Sequence, residues 1–174
     1  MPFLIALLGI LGAGAFWYYR MKNVGRAAGE IVDVAQTAHG AWRRRQFRKK
    51  AEGSVITAID DPITGAAVMM VSVCLERGPM TAATEEAIQS EMRDVMGLAK
   101  PLETFTFAKW AADQVMDAND VSRKLAKLWI DRLGVEERFD LVEMVGRVAA
   151  IEGEILPQQR IAIQKLKERL ALLN

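Results

Sequence analysis

From residue 60 onward the apolar positions recur at three- and four-residue spacings, and no stretch alternates convincingly as a strand would. The punctuation between these stretches predicts six helices. "DDPITGAAVMMVSVCLERG" opens with Asp61 as N-cap and Pro62 at the first helical position, and is expected to run to about residue 77 with Gly78 as its stop. "MTAATEEAIQSEMRDVMGL" restarts on Thr81 as cap, with Glu85 and Glu86 in the early turns, and ends near Gly97. Thr104 is read as the cap of "FTFAKWAADQVM". Asp117 or Asn119 caps "DVSRKLAKLWIDRLG", with Gly134 closing it. "VEERFDLVEMVGRVAAIEG" then runs to Gly153, and "PQQRIAIQKLKERLALLN" finishes the chain. Helices of this length joined by short turns imply an all-α bundle. The wide apolar faces at Val68, Met69, Met70 and Val71, and at Val145, Val148 and Ala149, imply helices buried between neighbours. Ile163, Leu166, Leu170 and Leu173 form a seam that fits either a coiled coil or packing within the bundle, the latter being preferred.

The front of the chain has a different pattern. "PFLIALLGILGAGAFWYY", residues 2–19, carries no charge. At about 1.5 Å per residue it spans roughly 27 Å, close to the ~30 Å of a bilayer core. Phe16, Trp17, Tyr18 and Tyr19 suit the headgroup boundary, and Arg20, Lys22 and Arg26 follow at once. With all the positive charge on the C-terminal side, the positive-inside rule orients the body to the cytoplasm. "AGA" at residues 13–15 could serve a signal peptidase, but the segment before it lacks a basic n-region, so an anchor is favoured over a cleaved signal.

Between anchor and body, Ile31, Val34/Ala35, Ala38 and Ala41/Trp42 mark one helix face. This neck ends in Arg43, Arg44, Arg45, Arg48, Lys49 and Lys50, interleaved with Trp42 and Phe47. Beside an inner leaflet such a cluster attracts anionic lipid, with the two aromatics entering the interface, or it is a solvated helix end whose cations only fix the topology. A single short patch followed by an acidic body lacks the extended basic face that nucleic-acid binding needs. The organisation expected is therefore an anchor over 1–20, a basic juxtamembrane segment over 21–53, and a helical domain over 54–174.

Charge divides the same way. The net of +1 conceals nine Lys/Arg against three Asp/Glu in residues 1–53, a net of +6, and fourteen against nineteen in the remainder, a net of −5. A hydrophobic content of 51% with five prolines supports a real core. One cysteine, Cys74, excludes an internal disulfide and reads as a small buried hydrophobe. One histidine, His39, effectively excludes nucleophilic triads and histidine-based zinc sites. No paired nucleophile and base and no glycine-rich phosphate loop is visible, so an enzyme is the remote reading. "DANDVS" at 117–122 lacks the central glycine and terminal glutamate of an EF-hand loop.

Two stretches echo each other: "VSVCLERGPMTAATEEAIQSEM" (71–92) and "GRVAAIEGEILPQQRIAIQKL" (146–166). In both, an apolar helix ends in a charged residue and a glycine (Gly78, Gly153), a spacer and an apolar plug follow (Met80, Ile155), and a new helix begins. This doubled corner, of the form helix–Asp-Gly-x-Ile/Val–turn–Glu–helix over residues 60–174, resembles the TerB-like tellurite-resistance domain family. With its anchor, the layout also resembles the front of membrane-bound J-domain co-chaperones, without the J-domain.

The resemblance implies a bundle of six to seven helices in a bacterial inner-membrane protein. It implies a stress-related, non-enzymatic interaction module near the membrane, with a protein partner it does not identify. It also implies divalent-metal sites built from the corner acids, for which Glu76, Glu85, Glu152 and Glu154 are the candidates. The chain departs from the pattern at four places. Glu152 stands for Asp, Gln159 for the helix-initial Glu, Arg77 for the other Asp, and Glu85 falls a residue late. An arginine puts a cation where a hard metal would sit, and a glutamine offers only a neutral carbonyl.

Overall fold

The computed structural model describes residues 55–172. The expected anchor and neck, with Phe16 to Arg20, His39 and Trp42 to Lys50, lie outside them, as does Leu173. Among the described residues no helix is long and apolar enough to cross a membrane. They form a short 3-10 helix, Val55–Ala58, and six α-helices with no strand. The α-helices are α1 (Pro62–Leu75), α2 (Ala82–Asp94), α3 (Pro101–Ala112), α4 (Ala118–Arg132), α5 (Val135–Ala149) and α6 (Pro157–Arg169). The all-α class expected from periodicity holds over this region.

The axis of the bundle is α1. Every residue from Thr64 to Cys74 is buried, so no face of this helix is solvated. A helix that is apolar all round is stable in water only when surrounded, and α1 packs against each of the other five. Around it, α4 packs on α6, α5 on α6, and α2 on both α3 and α5. Met69, Met70, Met92, Met96 and Met144 are wholly buried where these helices meet. An unbranched thioether side chain fills irregular gaps between helices of differing direction. Leu166 and Leu170 are wholly buried and Ile163 partly so, which makes the apparent coiled-coil seam of α6 a bundle-packing face.

At the N-terminal end of α1, Asp61 caps the helix, accepting from Thr64 N at 2.9 Å and Ile63 N at 3.4 Å, with Pro62 at the first position. One turn in, Gly65 leaves room for α4: a Cβ there would meet Leu125 Cδ1 and Trp129 Nε1, each at 3.3 Å. Trp129 is wholly buried in the space that remains and donates its indole N–H to Pro62 O at 3.3 Å.

Several helix ends differ from the sequence reading: α3 and α5, expected to reach Met116 and Gly153, stop at Ala112 and Ala149, and four other ends differ each for a local reason. α1 stops at Leu75 and α2 at Asp94, each three residues before its glycine, because Gly78 (φ +134°) and Gly97 (φ +70°) turn the chain only after a short bend. α3 begins at Pro101, with no side-chain cap on Lys100, so Thr104 lies inside the helix. A proline pre-set to helical φ, with Glu103 in the first turn facing the helix dipole, suffices there. Gly134 does not close α4. Its φ is −66°, and it is the N-cap of α5, its N–H bonded to Glu137 Oε2 at 2.6 Å.

Trp129 gives the packing a quantitative test. Trp129→Ala should cost about 3–5 kcal/mol, since the space between α1 and α4 cannot collapse around Gly65. Trp129→Phe, which mainly loses the indole hydrogen bond, should cost about 1–2 kcal/mol. Urea unfolding of the full chain in mild detergent, followed by far-UV circular dichroism, measures both.

Candidate functional site

The two echoing corners lie against each other. One joins α1 to α2 and the other α5 to α6, and the C-terminal ends of α1 and α5 meet there, with Cys74 Sγ 3.7 Å from Val148 O. In each corner the chain reverses at a glycine with positive φ, Gly78 at +134° and Gly153 at +111°. An L-residue rarely adopts that conformation, which explains the residue type at both places. Met80 and Ile155, the residues two after each glycine, pack onto the core and pin the turns to it.

The residue before each glycine reaches into the opposite corner. Arg77 donates from its guanidinium to the backbone oxygen of Glu154. Glu152, which holds the same place 75 residues later, accepts from Thr81 N at 3.2 Å and Thr81 Oγ1 at 2.8 Å through its Oε1, and from the Thr84 hydroxyl. The reason lies in how α2 starts. A glutamate or glutamine three residues after the N-cap usually satisfies the N-cap's own backbone N–H. In α6 Gln159 does this, its Oε1 accepting from Leu156 N at 3.0 Å. The matching residue of α2 is Thr84, whose side chain is too short. Glu152 supplies the missing carboxylate from the other corner.

The remaining polar side chains close helix ends or pair across helices. Gln159 Nε2 donates to Val73 O and Gln158 Nε2 to Glu76 O, both at 3.1 Å, closing carbonyls at the end of α1. Glu76 Oε1 accepts from Ala118 N at 2.9 Å and so caps α4. Glu85 pairs with Lys109 across α2 and α3. Arg147 grips Glu91 through two bonds of 2.7 and 2.8 Å, joining α5 to α2. The side chain of Glu154 is 91% exposed, with Arg160 at 3.6 Å.

The four carboxylates singled out in the sequence thus have four different partners. Glu152 and Glu154 stand in one corner, Glu76 at the facing end of α1, and Glu85 a turn into α2. Among the described residues no three His, Cys, Asp or Glu side chains converge as metal ligands.

Electrostatics follow from these bonds. The hydroxyl of Thr84, then the hydroxyl and N–H of Thr81, hold the Glu152 carboxyl below the ordinary glutamate range, and Arg77 adds to this. Burial pushes the Cys74 thiol up to about 12, with the nearby Glu152 charge adding and Arg77 opposing. That thiol is protonated and inert at neutral pH.

Sequence reasoning located the two glycines, Glu152 and the cap at Thr81, but not the cross-corner bond of Thr81 to Glu152 or the roles of Arg77, Thr84, Gln158 or Glu91. The one available signal was the constant offset between the corners, which pairs a cation at 77 with an anion at 152. No family model matches the chain, and comparison with curated proteins and with solved structures finds no significant match. The TerB-like resemblance rests on the corner residues alone.

The folded Glu152 carboxyl binds its proton less tightly than an unfolded glutamate, so its contribution to stability is present above the ordinary glutamate range and is lost as pH falls through it. The gap in unfolding midpoint between the chain and Glu152→Gln should be constant above about pH 5 and shrink below about pH 4 in thermal melts. Alanine at Gly78 or Gly153 should cost about 1–3 kcal/mol from backbone strain alone, because the added methyl meets nothing within 4 Å. Alanine at Gly146, equally uncrowded but mid-helix, should stabilise by about 0.5–1 kcal/mol in the same chemical unfolding series.

Proposed function

We propose that this chain is a non-enzymatic, membrane-tethered helical interaction module of TerB-like type, serving a stress-related response. In this reading residues 2–19 cross the inner membrane, the basic segment ending at Lys50 contacts anionic lipid, and the body stands in the cytoplasm. The observation that carries the reading is the engagement of Glu152. The carboxylate that would be central to any corner chemistry accepts three bonds from the opposite corner and works as a helix cap. The body also leaves large apolar side chains in water: Leu102 and Trp110 on α3 are 64% and 47% exposed, and Met116 just beyond it is 96% exposed. Tryptophan and methionine are enriched where proteins meet proteins.

A second reading, a divalent-metal-responsive module, is favoured by one observation. The fold brings Glu76, Glu152 and Glu154 to the same end of the bundle. A metal at a hundred times its dissociation constant stabilises by about 2.7 kcal/mol, or near 10 °C in midpoint for a domain of this size. Thermal unfolding with EDTA and then with excess calcium, magnesium, manganese or zinc separates the two. The interaction module predicts an unmoved midpoint with every ion. A rise of that size, lost in Glu152→Ala/Glu154→Ala, establishes the metal-responsive reading in its place. For the interaction itself, photo-crosslinkers at Leu102 and at Met116 in cells should both capture the same discrete protein, and one at Lys127 on α4 should not. Absence of a shared adduct would sink the reading.

A further inference from the structure

The solvent side of α5 has an order of its own. At about 100° per residue, Val135, Phe139, Gly146 and Ala150 line one edge of a sector roughly 140° wide, and Glu143, Glu136 and Asp140 line the other. Val135 and Phe139 are 55% and 50% exposed, and nothing lies within 4 Å of a Cβ placed on Gly146. Among the described residues none of Glu136, Asp140 and Glu143 is ion-paired. Arg147, the one cation in the sector, is held by Glu91. Burial raises the Asp140 carboxyl; Arg147 opposes this, while Glu136, Glu137 and Glu143 add to it. Like charges one turn apart destabilise a helix, so this face gains from an incoming cation.

The chain supplies one of matching chemistry and reach. Val55 begins the described residues, beside the start of α1, and the 3-10 helix packs on α4. Trp129 near the end of α4 touches Pro62, and α5 begins six residues later at Val135, so Val55 and Val135 stand at the same end of the bundle. Residues 51–54 span roughly 14 Å when extended, more than the ~10 Å that three residues of chain can put between Arg132, at the end of α4, and Val135.

We infer that the outward face of α5 docks the chain's own basic-aromatic segment, residues 42–50. Phe47 covers Phe139 beside the open position at Gly146, Trp42 lies on the same edge toward Ala150, and the six cations meet Glu136, Asp140 and Glu143. The tether holds the segment at an effective concentration on the order of millimolar, which makes a weak contact sufficient. The same residues are those assigned to anionic lipid above, so the docked segment and the lipid-bound segment exclude one another. The docking does not depend on the lipid contact, and its test omits anionic lipid.

The experiment is disulfide trapping in the full chain, in uncharged detergent, with Gln46→Cys paired to Gly146→Cys. The buried thiol of Cys74 does not compete. Gln46→Cys paired to Lys127→Cys is the control, since Lys127 is 86% exposed and lies on the helix that the entering chain packs against. Circular dichroism confirms that each variant is folded. The expected result is an intramolecular bond at position 146 forming at least about tenfold faster than at 127, which corresponds to about 1.4 kcal/mol of preference. The difference should vanish in Glu136→Lys/Glu143→Lys and near 1 M salt, where the Debye length falls to about 3 Å. Equal rates at the two positions overturn the inference. So does a rate that charge reversal leaves unchanged, or a bond that forms only between two molecules.

Discussion

The complete burial of α1 is the constraint on which the other helices depend. A helix with one apolar stripe can lie on a surface, but a helix buried from Thr64 to Cys74 must be enclosed on every side. Enclosure sets the number of neighbours and obliges each to present an apolar face inward. It also creates a problem at the ends of α1, whose first N–H and last C=O groups have no partner within the helix. At the start the solution is local, through Asp61. At the end it comes from elsewhere in the chain, from Gln158, Gln159 and the α5–α6 corner.

The far end of α1 is therefore where distant segments become chemically dependent on one another. Arg77 and Glu152 hold equivalent places in the two corners, and each satisfies backbone or hydroxyl groups of the other. Glycine at 78 and 153 makes the reversal tight enough for the corners to touch. Met80 and Ile155 then hold both to the core. Acids at such a position resemble metal ligands in sequence, because carboxylates and tight turns also build cation sites. A carboxylate that accepts several N–H and O–H bonds is equally suited to ending helices. The donors around Glu152 make that role visible: a threonine where α2 would need a longer acceptor, supplied from the opposite corner.

The surface is divided in keeping with this interior. Ion pairs such as Arg147–Glu91 and Lys109–Glu85 lie between helices and fix their relative placement. The outward faces of α3 and α5 keep exposed apolar side chains, and α5 adds acids that form no ion pair among the described residues. Surface of this kind costs solubility and contributes little to the fold, so its persistence is best understood through what comes to lie on it.

The sequence by itself determined what local sterics and periodicity control. The all-α class, the caps at Asp61 and Thr81, the proline starts at 62 and 157, and the reversals at Gly78 and Gly153 were all legible, since each depends on a few adjacent residues; for α4 the sequence left Asp117 and Asn119 both open, and Asp117 is the cap. Where two local signals competed, legibility failed. Thr104 lost to Pro101, and Gly134 served the following helix instead of ending the preceding one. The partners of Arg77, Glu76, Glu91 and Glu152 were decided only by the tertiary structure. They join residues between 42 and 77 positions apart, and a side chain's hydrogen-bond partner at that range is set by how whole helices pack around α1.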